Sequence, residues 1–238
     1  MTITTITIMS IIMDDTLYHL MSWLSPSYPV GAFSHSGGLE WAVEAGWVRD
    51  RAATLGWIET LLGHGALWND AALFTHAHRA AVTDDGDRLR GIAALAAAAH
   101  PSAERRLESL AQGAAFRRIA CASAAHAGAL DALGDDVAYP VAVAALAAGH
   151  GIALGPALTA YLHAACANLV SAAQRLVPLG QTDAQIVMTR LREPVAAAVG
   201  RAAALPEDEP FRALGGATLL ADLASMLHET QYTRLFRT

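Results

Sequence analysis

Ten histidines and two cysteines are the residues of this chain best suited to chemistry, and their spacing limits what they can do. His163 and Cys166 lie three apart, a separation at which two helical side chains can face one way and share a metal ion. They lack the Cys-x-x-Cys or His-Glu-x-x-His companions that make such a pair a specific site. His76 and His78 are two apart in a helical pattern, so they point to different sides. Ser34-His35-Ser36 suggests a nucleophile, but that needs a base within hydrogen-bond reach and a third group to orient the base. Neighbours along one loop do not supply this geometry, and no Gly-x-Ser-x-Gly elbow is present. Glu40 and Glu44 stand at i, i+4 on one helix face, where like charges repel mildly; they read as a solvated or partner-facing edge. The residues predict no catalytic centre and no resident metal. A helical metal-binding protein or enzyme using His163 and Cys166 is the competing reading.

Composition excludes more. The chain has no lysine, and all 16 basic residues are arginine. A Schiff-base lysine, a phosphate loop ending Gly-Lys-Ser/Thr and a Ser-x-x-Lys acylation centre are therefore ruled out. The net charge of −6, without a basic cluster, argues against a nucleic-acid surface. Charged residues make up 16% of the 238 positions, against about 25% in an average soluble protein. Such a shortage of charge predicts more buried surface than a monomer needs, and so self-association or a lasting partner. Cys121 and Cys166, 45 positions apart in alanine-rich surroundings, read as free buried thiols of a cytoplasmic protein.

The elements that position these residues are helices. Residues 1–13 are an apolar leader without the positive start of a signal peptide, and read as poorly ordered. Asp14 should cap a first helix with Leu17, Leu20, Met21 and Leu24 on one stripe. A second helix should begin near Ser36 and stop near Gly46, and Asp50 should cap a third. Asn69 or Asp70 should start a fourth with Leu73 and Phe74 inward. Pro101, Pro140 and Pro156 each suit a first helical turn. Thr182 or Asp183 should cap a helix that Pro194 kinks, and Leu214 to His228 closes the series. Residues 137–174 carry no Asp, Glu, Lys or Arg, but glycines and Pro156 interrupt the run and alanine dominates it. A buried central helix pair is expected there rather than a membrane hairpin. The fold class is all-α: one helical bundle over residues 14–229 with roughly eight to ten helices at ordinary lengths, followed by a tail at 230–238.

Two stretches stand apart from the alanine-rich pattern. Ser25 to Glu44 packs two prolines, three glycines, three aromatics and four serines into twenty residues. Its prolines fix φ, and Gly31 supplies a flexible joint. The tail carries Tyr232, Arg234, Phe236 and Arg237, residue types that anchor interfaces. It reads as a binding segment that could be removed without loss of the helical fold.

The stretch Leu24-Ser-Pro-Ser-Tyr-Pro-Val-Gly-Ala-Phe-Ser-His-Ser-Gly-Gly-Leu-Glu-Trp-Ala-Val-Glu44 resembles the Ser-Pro-x-x-Pro-Val-Gly-x-Phe-Ser-x-Ser-x-Gly-Leu-Glu signature of the UreF family of urease accessory proteins. Leu179-Gly180-Gln181-Thr182-Asp183 and the ending from His228 to Arg237 are similar to that family as well, in the same order. His35 and Gly37 depart from the Tyr and Gln found in many relatives. The resemblance implies an all-helical, dimeric, cytoplasmic protein without catalytic activity. It implies a scaffold joining a UreD/UreH-type protein and the GTPase UreG on apo-urease, with nickel and GTP handled by those partners and no cofactor on this chain. The partner-binding residues it implies are Pro29, Gly31, Phe33, Ser34, Gly38 and Glu40 in the signature, Gln181, and Tyr232, Arg234 and Phe236 in the tail.

Overall fold

The computed structural model describes residues 15–238, so the leader and a cap at Asp14 lie outside the described residues. Among the described residues every regular element is helical. In chain order they are α1 (Asp15–Trp23), a 3-10 turn (Ala32–Ser34), α2 (Leu39–Glu44), α3 (Arg51–His64), α4 (Ala66–Val82), α5 (Gly86–Ala98) and α6 (Ala103–Ser123). These are followed by α7 (Gly128–Asp131), α8 (Tyr139–Gly149), α9 (Leu154–Leu176), α10 (Gln181–Ala203), α11 (Pro210–Ala213) and α12 (Leu219–His228). α7 and α11 are single turns that periodicity did not separate from the loops around them.

The centre of the bundle is α8. Its residues from Pro140 through Ala147 are all buried, so the uncharged run is an interior helix enclosed by α4, α6, α7 and α9. Alanine makes this possible, because small side chains let α4 and α8 lie close along their length. α4 adds Leu73 and Phe74 to the core as expected, and α9 packs lengthwise on α10. No described helix is long and apolar enough to cross a membrane.

Local capping rules held where side chains were free to cap. Asp50 Oδ1 accepts from the Ala53 N–H at 2.9 Å, and Pro140 lies in the first turn of α8. They failed where tertiary partners took the side chain. α4 starts at Ala66, since Asn69 Oδ1 is occupied by the Gly215 N–H and Asp70 by the Tyr161 hydroxyl. Pro101 lies just outside α6 rather than in its first turn, and Ser102 caps the helix by accepting from the Arg105 N–H. α10 begins after Gly180; Asp183 is spent on Arg51 at 2.7 Å, and the helix runs uninterrupted through Pro194. α1 turns Leu20 and Trp23 inward and leaves Leu17 and Met21 exposed, so its apolar stripe is split. The closing helix starts at Leu219 rather than Leu214.

Candidate functional site

The corner from Leu24 to Glu44 and the chain's last residues form one structure. α2 starts after Gly38, whose φ of +84° is strained for any side chain, while the expected cap Ser36, two residues earlier, still accepts from the first-turn Glu40 N–H through its Oγ at 3.3 Å. A Cβ on Gly38 would also stand 2.6 Å from the Ser225 backbone nitrogen, so glycine is what lets α12 lie against the corner. Ser36 also serves the tail. Its N–H and Oγ both donate to the Thr238 carbonyl, at 2.7 and 2.8 Å, while the Arg237 N–H donates to the Ser34 carbonyl at 2.8 Å.

Glu40 is the anchor of this contact. It is buried, and its Oε1 and Oε2 accept from the backbone N–H groups of Leu235 and Phe236 at 2.6 and 2.9 Å. The solvated-edge reading of Glu40 is thus overturned: i, i+4 spacing fixes a shared face but not what that face meets. Glu44 does remain exposed, accepting from Gln231 at 2.7 Å. Behind Glu40, the fully buried His228 ring sits between two carboxylates. Its Nε2 is 3.1 Å from Glu40 and its Nδ1 2.6 Å from Glu104. Each ring nitrogen therefore faces a carboxylate oxygen at hydrogen-bond distance, and the imidazole ties α2, α6 and α12 together. Arg234 adds an ion pair to Glu104 at 2.8 Å. Glu104 and Thr238 carried no signal in the sequence, and His228 only as the first residue of the family-like ending, because their partners lie far away along the chain.

Apolar packing completes the clasp. Phe236 is 4% exposed and enters a small second core with Leu39, Ala42, Val48, Ala172, Ala173, Val177 and Ala224. The Arg175 guanidinium lies 4.2 Å over its ring and also donates to the Phe33 carbonyl. Thr238 Oγ1 donates to Glu108 at 2.9 Å, so His35 Nδ1, 2.9 Å from the same oxygen, is the donor to it. Burial pushes the His35 pKa down and keeps that ring neutral. The tail therefore folds onto its own chain. Removing it would bare the second core and strand Glu40, which corrects the expectation that it is dispensable to the fold.

The expected partner residues fall into two groups. Pro29, Phe33, Gln181 and Tyr232 are exposed, Tyr232 completely. Gly38, Glu40 and Phe236 are buried, with Gly31, Ser34 and Arg234 partly covered or engaged inside the chain. On α12, just before Tyr232 along the chain, Leu219, Leu220, Leu223, Met226 and Leu227 are exposed to solvent, as is Leu235. That apolar face is a surface sequence reading did not single out, although leucines at 219, 220, 223 and 227 repeat with helical spacing.

The metal reading does not fit. Cys166 is fully buried and His163 exposed, so the two residues of α9 point apart. Burial also pushes the Cys166 thiol up to about 12, which keeps it protonated and a poor ligand. His76 and His78 are both buried, and His78 Nε2 is bonded to the Ile152 carbonyl at 2.8 Å. A cavity of about 270 Å³ opens beside the corner, lined by Leu24, Phe33, Arg105, Glu108, Tyr161 and Asn168 among others. Its charged groups are committed to one another. Arg105 pairs with Glu108 at 2.5 Å, and Asp70, pushed up to about 6 by burial, accepts from Tyr161 at 2.9 Å.

An all-α bundle with its terminus clasped onto its own chain and an exposed apolar helix face has the form of an interaction protein. The UreF family model matches residues 48–192, a span that leaves out both the corner and the tail. The urease accessory protein UreF of Bradyrhizobium sp. (strain ORS 278) is 52% identical over 223 residues, covering 93% of this chain and 91% of that relative. The protein of the same name from Rhodopseudomonas palustris (strain BisB5) is 52% identical over 225 residues with the same coverage. The chain belongs to the UreF family of urease accessory proteins, non-catalytic helpers in urease maturation.

Proposed function

We propose that this chain is a cytoplasmic scaffold in urease maturation that joins a UreD/UreH-type protein and the GTPase UreG on apo-urease during nickel insertion. Nickel for the urease centre and GTP are held by those partners, and the chain works as a homodimer. Family membership carries the proposal. It is supported by the exposed leucines of α12 and the fully exposed Tyr232, because apolar patches on this scale on soluble chains mark binding surfaces. The clasp adds to this support: Glu40, His228 and Phe236 fix the tail so that Tyr232 and Leu235 project from a rigid base rather than a mobile end. An ordered epitope loses less entropy on binding.

Co-expression with the cognate UreD-type protein and UreG, followed by isolation through a tag on the UreD-type partner, tests the proposal. A complex containing all three chains is the expected result. Recovery of the UreD-type protein without this chain would overturn it.

A further inference from the structure

A second cavity, of about 260 Å³, is walled by α4, the α5–α6 loop, α6 and the start of α12, and it shares Asp70 and Arg105 with the cavity beside the corner. Its charges do not balance. Arg105 pairs with Glu108 at 2.5 Å, their side chains 15% and 12% exposed, and the lining adds two further carboxylates, Asp70 and Asp222. Asp70 gives one oxygen to the Tyr161 hydroxyl at 2.9 Å, and among the described residues the Asp222 carboxylate has no hydrogen-bond or ion-pair partner. One guanidinium thus serves three carboxylates. We propose that this cavity binds a small organic cation with a guanidinium head, for which Asp70 and Asp222 are the counter-charges.

Two uncharged groups of the lining also lack partners. Thr218, 5% exposed, is the N-cap residue of α12, yet its hydroxyl makes no cap bond and is buried without any hydrogen bond. His100 leaves Nε2 buried and unbonded as well, and burial pushes its pKa down to about 4, so the ring is neutral and adds no positive charge. Buried hydroxyl and imidazole groups are normally hydrogen-bonded, so these two atoms call for an occupant rich in N–H or O–H groups. Burial also raises the pKa of Asp70, to about 6, and that of Asp222, although Arg105 opposes the rise at both. Carboxylates short of water and of counter-charge gain most from a cation brought to them.

The lining selects the kind of cation. Among the described residues no group of three His, Cys, Asp or Glu could hold a metal ion, so the carboxylates suit a larger, flat cation instead. A guanidinium pairs with carboxylates through two parallel N–H bonds and is more weakly hydrated than an ammonium, so it loses less on leaving water. Thr218 Oγ1 and the neutral His100 ring can accept its remaining N–H groups. Leu73 and Pro101 supply an apolar wall for a short alkyl chain. The volume is several times the ~30 Å³ share of one water and just under the ~300 Å³ at which pockets for larger ligands begin. The occupant is therefore small. The alternative is a cavity filled by water alone.

Isothermal titration calorimetry of the full chain at neutral pH, with butylguanidinium and with its uncharged isostere butylurea, separates the two. Saturable binding of one butylguanidinium per chain is expected, with butylurea at least about tenfold weaker, because charge-assisted hydrogen bonds are roughly twice as strong as neutral ones. Asp222→Asn, at a half-buried position, should keep the fold and lower the butylguanidinium affinity at least about tenfold. Asp70→Asn should do the same while still accepting from Tyr161. Glu193→Gln, exposed on α10, should leave the affinity unchanged. Absence of saturable binding, equal affinity for the two probes, or an affinity unchanged in Asp222→Asn would overturn the site and leave the scaffold proposal standing.

Discussion

At the scale of single residues, Glu40 does the most. It satisfies two tail amides and one side of His228 while almost out of water. Glu40→Ala would leave two tail N–H groups and one nitrogen of the buried His228 ring without their partner. Breaking a buried pair in this way costs about 3–5 kcal/mol. Urea unfolding should show that loss, and amide exchange at Leu235 and Phe236 should rise well before global unfolding. A change within the error of the wild type would mean that the clasp contributes nothing. The importance of Glu40 was visible in the sequence only through the signature. Its partner His228 lies 188 positions away, and Glu104 lies 124 positions from His228. No periodic pattern encodes a contact at that separation.

At the scale of elements, local chemistry was legible and tertiary substitution was not. The Asp50 cap, the prolines opening α8 and α9 and the buried uncharged run all rest on neighbours within a turn or two, and all are present. The start of α4 was misplaced because Asn69 and Asp70 spend their side chains on distant groups, and Ser36 divides its hydroxyl between the first turn of α2 and the tail. The apposition of α2 and α12 depends on Gly38. Gly38→Ala adds a Cβ against backbone that cannot swing aside, at a φ of +84°, so it should destabilise by more than the ~1 kcal/mol of an ordinary glycine replacement. Thermal unfolding measures this. Gly31→Ala offers a control: its φ of +76° is similar, but its Cβ would meet nothing, so the penalty should be smaller. Equal losses at the two glycines would show that the close approach to α12 is irrelevant.

At the scale of the whole molecule, buried histidines set the response to acid. Burial pushes the pKa values of His35, His76, His78 and His150 down, and that of His100 to about 4. Unfolded imidazoles titrate near ~6.5. Below that pH the unfolded chain binds protons that the folded chain refuses, so stability is full above it and falls as pH drops toward 4. Asp70 acts in the opposite sense. Raised to about 6 by burial, it favours the fold below its unfolded pKa and loses that contribution as pH rises through 6. Five imidazoles outweigh it, so the melting temperature should climb from pH 4.5 to 7, and His100→Gln should flatten the lower part of that climb. A melting temperature highest at pH 4.5 would contradict this balance.

The chain as a whole presents α12 and Tyr232 from a clasped base, and the proposed scaffold role stands or falls on that surface. The most direct measurement is the affinity of the purified chain for the proposed UreD-type partner, compared with that of Tyr232→Ser. Tyr232 is fully exposed, so the substitution should leave helicity and melting temperature unchanged. Loss of an aromatic anchor at an interface costs about 2 kcal/mol or more, roughly thirtyfold in affinity. A drop of that size with an intact fold is the expected result, and an unchanged affinity would contradict it.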